Sequence, residues 1–331
     1  MTDALLDRHD ALLLDLDGTV YRGTEPVAGA ADAIERARLR GTPLRFVTNN
    51  ASKAPEAVVE HLRSVGIPAT PDEVNTSAQA AAQILRERLP AGAPVLVVGT
   101  AALTAQVENA GFEAVRATGD GVAAVVQGHS PETGWADLAE ACLAIRSGAL
   151  WVACNNDTTL PAERGLLPGN GAMVAALRAA TDQEPLVAGK PEPPLFRTAA
   201  DTVGARNALV AGDRLDTDIA GALAAGLDAL VVLTGVATPE SLLAASPAER
   251  PRYLAADLDA LDEPADALEI GPRDGWTVRV EHDVLVATSD AGRNELDLLR
   301  ALCDAAWRHG TGTVRPGDEV TAAAFGKLGL A

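Results

Sequence analysis

The stretch "LLLDLDGTVY", residues 12–21, runs a block of leucines into two aspartates one residue apart, followed by Gly18 and Thr19. An unbroken apolar run suits a strand buried on both faces, as in a parallel sheet. Two carboxylates at its end repel each other unless a cation or a shared proton holds them there. Six further runs share this texture: "PLRFVTNN" (43–50), "PVLVVGT" (94–100), "GVAAVVQG" (121–128), "ALWVACNND" (149–157), "NALVAGDR" (207–214) and "DALVVLTG" (228–235). Helix-period segments such as "GAADAIERARLRG", "PEAVVEHLRSVG" and "DIAGALAAG" lie between them, several stopped by glycine. The alternation predicts an α/β protein with doubly wound parallel sheets, whose ligands bind outside the carboxyl ends of the strands.

At 331 residues the chain is long enough for two domains and an appendage. Aromatic residues are only 3%, so the core must be built mostly of Ala, Leu and Val. A formal charge of −19 argues against a nucleic-acid partner or an anionic membrane, and any anionic substrate needs a local positive site. Cys142, Cys154 and Cys303 are scattered and lack metal-ligand spacing, which reads as small hydrophobes in a reducing compartment. "MTDALLDRHD" has no basic or apolar leader pattern, and no segment approaches 18 unbroken apolar residues. The expectation is a soluble, cytoplasmic protein.

Four strand-end clusters carry the chemistry: Asp15-x-Asp17-Gly18-Thr19, Thr48-Asn49-Asn50, Lys190 in "GKPEPP", and Asp213 with Asp218 in "GDRLDTDIAG". Each has a bland reading alone. Asp17 could cap a turn, Thr48 and Asn49 could be ordinary strand-end groups, and Lys190 could be a solvated charge. Asp216 and Asp218 sit where helix-capping acids belong. Together they pair three acids on two strand ends with a hydroxyl and a lysine. Mg2+, which takes one or two carboxylates plus water and phosphate oxygens, would explain the acids. The hydroxyl, the lysine and backbone N–H groups then suit a phosphoryl group.

These residues resemble the haloacid dehalogenase superfamily of Mg2+-dependent phosphotransferases. The chain looks most like its branch with a large inserted cap, the p-nitrophenyl phosphatase-like enzymes. The likeness covers roughly residues 8–262, with "DLDGT", "VTNNAS", "GKP" and "GDRLDTD" in the family's order. It implies Asp15 as nucleophile, taking the phosphoryl group as an aspartyl phosphate, and Asp17 as general acid and then base. It implies Mg2+ held by Asp15, the Asp17 carbonyl and Asp213, with Asp218 holding a metal-bound water. Thr48 and Lys190, helped by backbone N–H groups around Gly18 and Asn49, would bind the phosphoryl oxygens. Asp216 has no family role and is left as a cap. Haloalkanoate dehalogenases of the superfamily lack an acid at the position of Asp17, so phosphoryl transfer is favoured over dehalogenation.

The resemblance places a phosphatase core at 1–82 and 186–265 and an inserted α/β cap at 83–185 that excludes water and contacts substrate. Within it, "CNNDTTLPAERGLLPGNGAM" (154–173) follows a strand, and Asn156, Asp157 and Arg164 are the substrate candidates. Relatives that accept pyridoxal phosphate tend to carry an aromatic or histidine where Thr158, Thr159 and Leu160 stand here. That favours a small aliphatic phosphomonoester such as glycerol 3-phosphate; phosphoglycolate, pyridoxal phosphate and p-nitrophenyl phosphate are the alternatives. "ALDEPADALEIGP" reads as a linker into an α+β appendage at 270–331, a hairpin and one amphipathic helix ending at Gly310. Its order is reminiscent of part of a GNAT acetyltransferase, but "SDAGRNELDLL" fails that family's acetyl-CoA loop pattern. A structural or oligomerising role is expected of it, with the cap as the other route to a homo-oligomer. The rival readings are a phospho-aspartate signalling module, a vestigial scaffold and a phosphomutase.

Overall fold

The computed structural model describes residues 3–119, 121–162 and 164–330. Two compact units divide the chain: Met1–Leu44 with Val203–Ala331, and Arg45–Thr202. All seven apolar runs form strands, each running parallel to a neighbouring strand.

In the first unit, Ala11–Leu14 lies beside Ala208–Gly212, then Asp228–Val232, then Tyr253–Ala255. Leu12, Leu13 and Leu14 are fully buried, as are Leu209 and Val210 across from them. Covered faces explain why these strands show no polar alternation. The helix Ala30–Leu39 buries Ala30, Ala33, Ile34 and Ala37, a stripe at helical spacing. "LDTDI" winds as a π turn, Leu215–Ile219, that runs into the helix Ala220–Ala225 and stops at left-handed Gly226.

The acidic stretch expected to be a linker is folded instead. It forms a 3-10 turn, Leu258–Asp262, and a short helix, Ala265–Leu268, in which Leu261, Ala265 and Leu268 are buried. Its leucines, not its acids, set its state. Beyond it Trp276–Glu281 and Val284–Ser289 pair antiparallel through His282 and Asp283, both at positive φ as a two-residue turn of this hand requires. The helix Glu295–His309 starts on the Asn294 cap and ends at left-handed Gly310. A further strand, Val314–Pro316, and a helix, Glu319–Leu328, were not anticipated. Arg300, 4% exposed, fixes this segment by donating from Nε and Nη2 to the Leu254 carbonyl at 3.1 and 2.7 Å. Trp307 Nε1 donates to the Leu242 carbonyl at 2.9 Å.

The second unit holds a parallel sheet in the order Leu186–Val187, Leu150–Ala153, Ala124–Gln127, Pro94–Val98, Glu113–Val115. Its core joins Leu96, Val98, Val125 and Trp151 of the sheet to Ile145 of the helix Trp135–Arg146 and Leu177 of the helix Asn170–Thr181. Thr48 ends the strand Leu44–Thr48, which pairs with Val74–Thr76. The segment 154–173 contains an antiparallel hairpin, Thr159–Ala162 with Gly165–Pro168. Cys154 and Cys303 are buried, Cys142 is half-buried, and all three are free. No helix among the described residues is long and apolar enough to cross a membrane.

Candidate active site

Asp15 follows directly on its strand, its N–H donating to the Ala211 carbonyl at 2.9 Å. Asp213 follows the neighbouring strand Ala208–Gly212, so the parallel pairing brings the two acids to the same sheet end. Asp218 returns from the π turn. One carboxylate oxygen from each of Asp15, Asp213 and Asp218 lies within 4.8 Å of the others. Asp213 and Asp218 are almost completely buried and Asp15 half-buried. Asp213 Oδ2 accepts the Val236 N–H at 2.7 Å, and Asp218 Oδ2 accepts the Arg214 N–H at 3.1 Å. The set is all hard oxygen, without imidazole or thiolate, and three converging acids need a cation to offset their repulsion. These residues fit Mg2+.

Two glycines shape the pocket of Asp213. A Cβ on Gly18 or on Gly235 would strike the Asp213 carboxylate, and Gly18 also stands at φ +95°. The Gly18 N–H donates to the Tyr21 carbonyl at 2.7 Å, so what Gly18 supplies is room for the acid. Thr234 Oγ1 ties down the Gly18 carbonyl at 2.6 Å. Asp17 is exposed, with Oδ1 accepting the Gly23 N–H at 3.3 Å. It therefore points to a different environment from Asp15 although only one residue separates them. Asp216 is not a helix cap: Arg214 occupies that position, and its guanidinium grips the Asp216 carboxylate at 2.7 and 3.1 Å. That hydrogen-bonded pairing holds the Asp216 carboxyl below the usual range.

In the second unit Thr48, Asn49, Asp157 and Lys190 come together. Thr48 Oγ1 accepts the Asn50 N–H at 3.2 Å. Asn49 Oδ1 accepts the Lys190 N–H at 2.7 Å, and Asn49 Nδ2 donates to the Lys190 carbonyl at 3.0 Å. Nδ2 also lies 3.4 Å from each Asp157 carboxylate oxygen. Lys190 is 4% exposed, far from a solvated surface charge, with Nζ 3.5 Å from the Val47 carbonyl and 5.9 Å from the centre of the Phe196 ring. Asn156 neighbours this group in sequence and is half-buried. Arg164 is exposed at the turn of the hairpin, with no contact to this group among those the described residues show. Sequence reasoning passed over Asn155, Ser77, Thr234 and Gly235. Asn155 stood beside two more conspicuous polar residues, and Gly235 sits in the turn after a strand, as many loop glycines do.

An α/β sheet end carrying converging acids suits a divalent cation and chemistry on a phosphoryl group. Residues 12–113 match the haloacid dehalogenase-like hydrolases, residues 187–261 a second HAD-hydrolase-like model, and residues 273–330 a GCN5-related N-acetyltransferase-like domain. The chain belongs to the haloacid dehalogenase-like hydrolases. It is 48% identical over 311 residues to the D-glycerol 3-phosphate phosphatase of Mycobacterium tuberculosis, covering 92% of this chain and 87% of that one. The acid sugar phosphatase of Staphylococcus aureus is 40% identical over 239 residues, 72% of this chain and 91% of its own. The crystal structure of the M. tuberculosis glycerol phosphate phosphatase in complex with magnesium matches with a TM-score of 0.95 at 46% identity, over 100% of both chains. A thermostable NPPase from Geobacillus stearothermophilus matches at 0.69 and 35% identity, over 76% of this chain and 97% of that one.

Proposed function

We propose that this chain is a Mg2+-dependent phosphatase that hydrolyses glycerol 3-phosphate through an aspartyl phosphate on Asp15. The observation that carries the substrate is the likeness to the M. tuberculosis D-glycerol 3-phosphate phosphatase, which extends over 311 residues. The acid sugar phosphatase is matched over 239 residues and leaves more of this chain uncovered.

In this reading Asp15, Asp213 and the Asp17 carbonyl would hold the ion, and Asp218 a water bound to it. Bound there, Mg2+ offsets charge on the phosphoryl oxygens and on the acids themselves. An Asp15 oxygen attacks phosphorus as the bond to the glycerol oxygen breaks, and Asp17 gives its proton to the departing alkoxide. Asp17, then a carboxylate, takes a proton from water, whose oxygen attacks phosphorus as the Asp15–phosphorus bond breaks. Phosphate and glycerol leave, and both acids return to their starting states. The exposure of Asp17 supports its exchange of protons with substrate and water. Thr48, Lys190 and the Asn49 N–H are assigned to the phosphoryl oxygens, so the lysine offsets the field of a chain with net charge −19. Asn156 and Asp157, in the segment 83–185 assigned to the cap, are assigned to the glycerol hydroxyls. A cytoplasmic setting belongs to the same proposal, supported by three free cysteines.

The test is phosphate release with Mg2+ across glycerol 3-phosphate, phosphoglycolate, pyridoxal phosphate, sugar phosphates and p-nitrophenyl phosphate. The proposal expects the highest kcat/KM for glycerol 3-phosphate. A higher value for any other member overturns the substrate assignment.

A further inference from the structure

The shortest bonds of the Asn49 side chain go to Lys190, with the Asp157 carboxylate farther off at 3.4 Å. Asn49 Oδ1 and Nδ2 clamp the N–H and the carbonyl of Lys190, at 2.7 and 3.0 Å. The Asn49 main-chain carbonyl is in turn held twice, by Asn155 Nδ2 at 2.7 Å and by Ser77 Oγ at 2.6 Å. Asn155 is 5% exposed and is itself fixed at both ends. Its Oδ1 accepts the Asp157 N–H at 3.3 Å, and its carbonyl accepts Asn170 Nδ2 at 2.7 Å. Asn170 is 1% exposed. No slack surrounds the clamp: a Cβ on Gly189 would come within 2.5 Å of Asn49 Oδ1 and 2.7 Å of the Cys154 carbonyl. These bonds are part-buried, and the Asn170 bond fully so, which holds positions more firmly than fully exposed bonds would.

We infer that Asn155 is a positioning residue for phosphate binding, acting through Asn49 to set where the Lys190 backbone, and so its ammonium, stands. The inference rests on the assignment of Lys190 to the phosphoryl group. A flexible four-carbon side chain carrying a point charge gains from a fixed origin, because misplacement by an ångström weakens contact with an anion steeply. Asn155 touches no reacting atom in this account. It carries the position of the segment after the strand Leu150–Ala153 to the lysine.

The experiment uses the full chain with Mg2+ and reads inorganic phosphate binding by calorimetry, together with KM and kcat for glycerol 3-phosphate. Asn155→Asp puts an oxygen in place of the donor that faces the Asn49 carbonyl and keeps the acceptor for the Asp157 N–H, but it adds a charge, so it is read beside Asn155→Leu, which removes the donor without one and must show the same rise. Phosphate Kd and KM should both rise about tenfold, the equivalent of one buried hydrogen bond. Ser77→Ala, which removes the other donor to the same carbonyl, should raise both about threefold. A residue that only holds the fold together would lower the active fraction, so kcat would fall while Kd and KM stayed put, and that result overturns the inference. Should Asn155→Asp fail to fold, an unchanged phosphate Kd in Ser77→Ala overturns it equally. Lys190→Met separates the two layers. Wild-type phosphate binding in Lys190→Met refutes the phosphate assignment itself, whereas weakened binding there beside unchanged binding in Asn155→Asp refutes only the positioning role.

Discussion

Gly235→Ala adds one methyl group where the Asp213 carboxylate already stands. The acid has nowhere to retreat, being fully buried with Oδ2 engaged by the Val236 N–H at 2.7 Å. Either the strand end shifts to admit the methyl, or Asp213 gives up that bond and leaves the group formed with Asp15 and Asp218. Overpacking of this kind costs about 1–3 kcal/mol, and a lost hydrogen bond to a charged group costs a similar amount. Whichever of the two happens, the stability loss should be about 1–3 kcal/mol in urea unfolding. The Mg2+ concentration giving half-maximal phosphate release should rise by about 10–100-fold, as when a supporting group of a metal site is lost. Gly18→Ala should do both and lose about 1–2 kcal/mol more, because its φ of +95° also strains an alanine backbone. If Gly235→Ala unfolds like the wild type and its Mg2+ requirement stays within about twofold, Asp213 is not a ligand held in place by these glycines.

Three further outcomes are expected. Arg300→Met removes the buried guanidinium that joins the C-terminal segment to the Leu254 carbonyl, and should cost about 1–3 kcal/mol; a neutral result in urea refutes that anchoring role. Burial pushes the Cys154 thiol up to about 12 and raises that of Cys303, whereas Cys142 is half-buried. At pH 8 only about one Cys154 in 10,000 is thiolate, so iodoacetamide should label Cys142 alone in the native chain, and mass mapping that finds Cys154 labelled as fast contradicts this. Asp318 caps the last helix through the Thr321 N–H at 2.8 Å and also accepts the Ser289 N–H at 2.7 Å, which together hold its carboxyl below the usual range. A depressed folded pKa stabilises above the unfolded value of about 4 and ceases to do so as pH falls through the folded one. Asp318→Ala should thus cost about 1 kcal/mol at pH 7, and the gap should close below about pH 4; a gap that persists into acid rules out the ionised cap.

The longer strands were legible because burial on both faces writes itself as unbroken Val, Leu and Ala. The short ones were not. Val74–Thr76 carries a polar centre, Leu186–Val187 is two residues long, and Tyr253–Ala255 lies among prolines and charges. The hairpin Thr159–Ala162 with Gly165–Pro168 hid behind two prolines and exposed leucines, a pattern that resembles a loop. The linker reading of "ALDEPADALEIGP" weighed acids and proline above Leu261 and Leu268, which point into the core. At the site, Asp15, Asp213 and Lys190 stood out because carboxylates and lysine are conspicuous against apolar strands. Asn155, Gly235 and Thr234 act through a single amide, an absent methyl and one hydroxyl. Their significance lies in who stands opposite, and only tertiary structure supplies that.

The central claim is that phosphorus is bonded to Asp15 during turnover. The direct measurement quenches the Mg2+-supplied chain in acid while it turns over glycerol 3-phosphate, reduces it with borohydride, and maps the product by mass spectrometry. An acyl phosphate at residue 15 is reduced to homoserine, so homoserine at that position, dependent on substrate, is the result expected. Steady phosphate release with aspartate 15 recovered unmodified, or with the mark on another residue, would contradict the account.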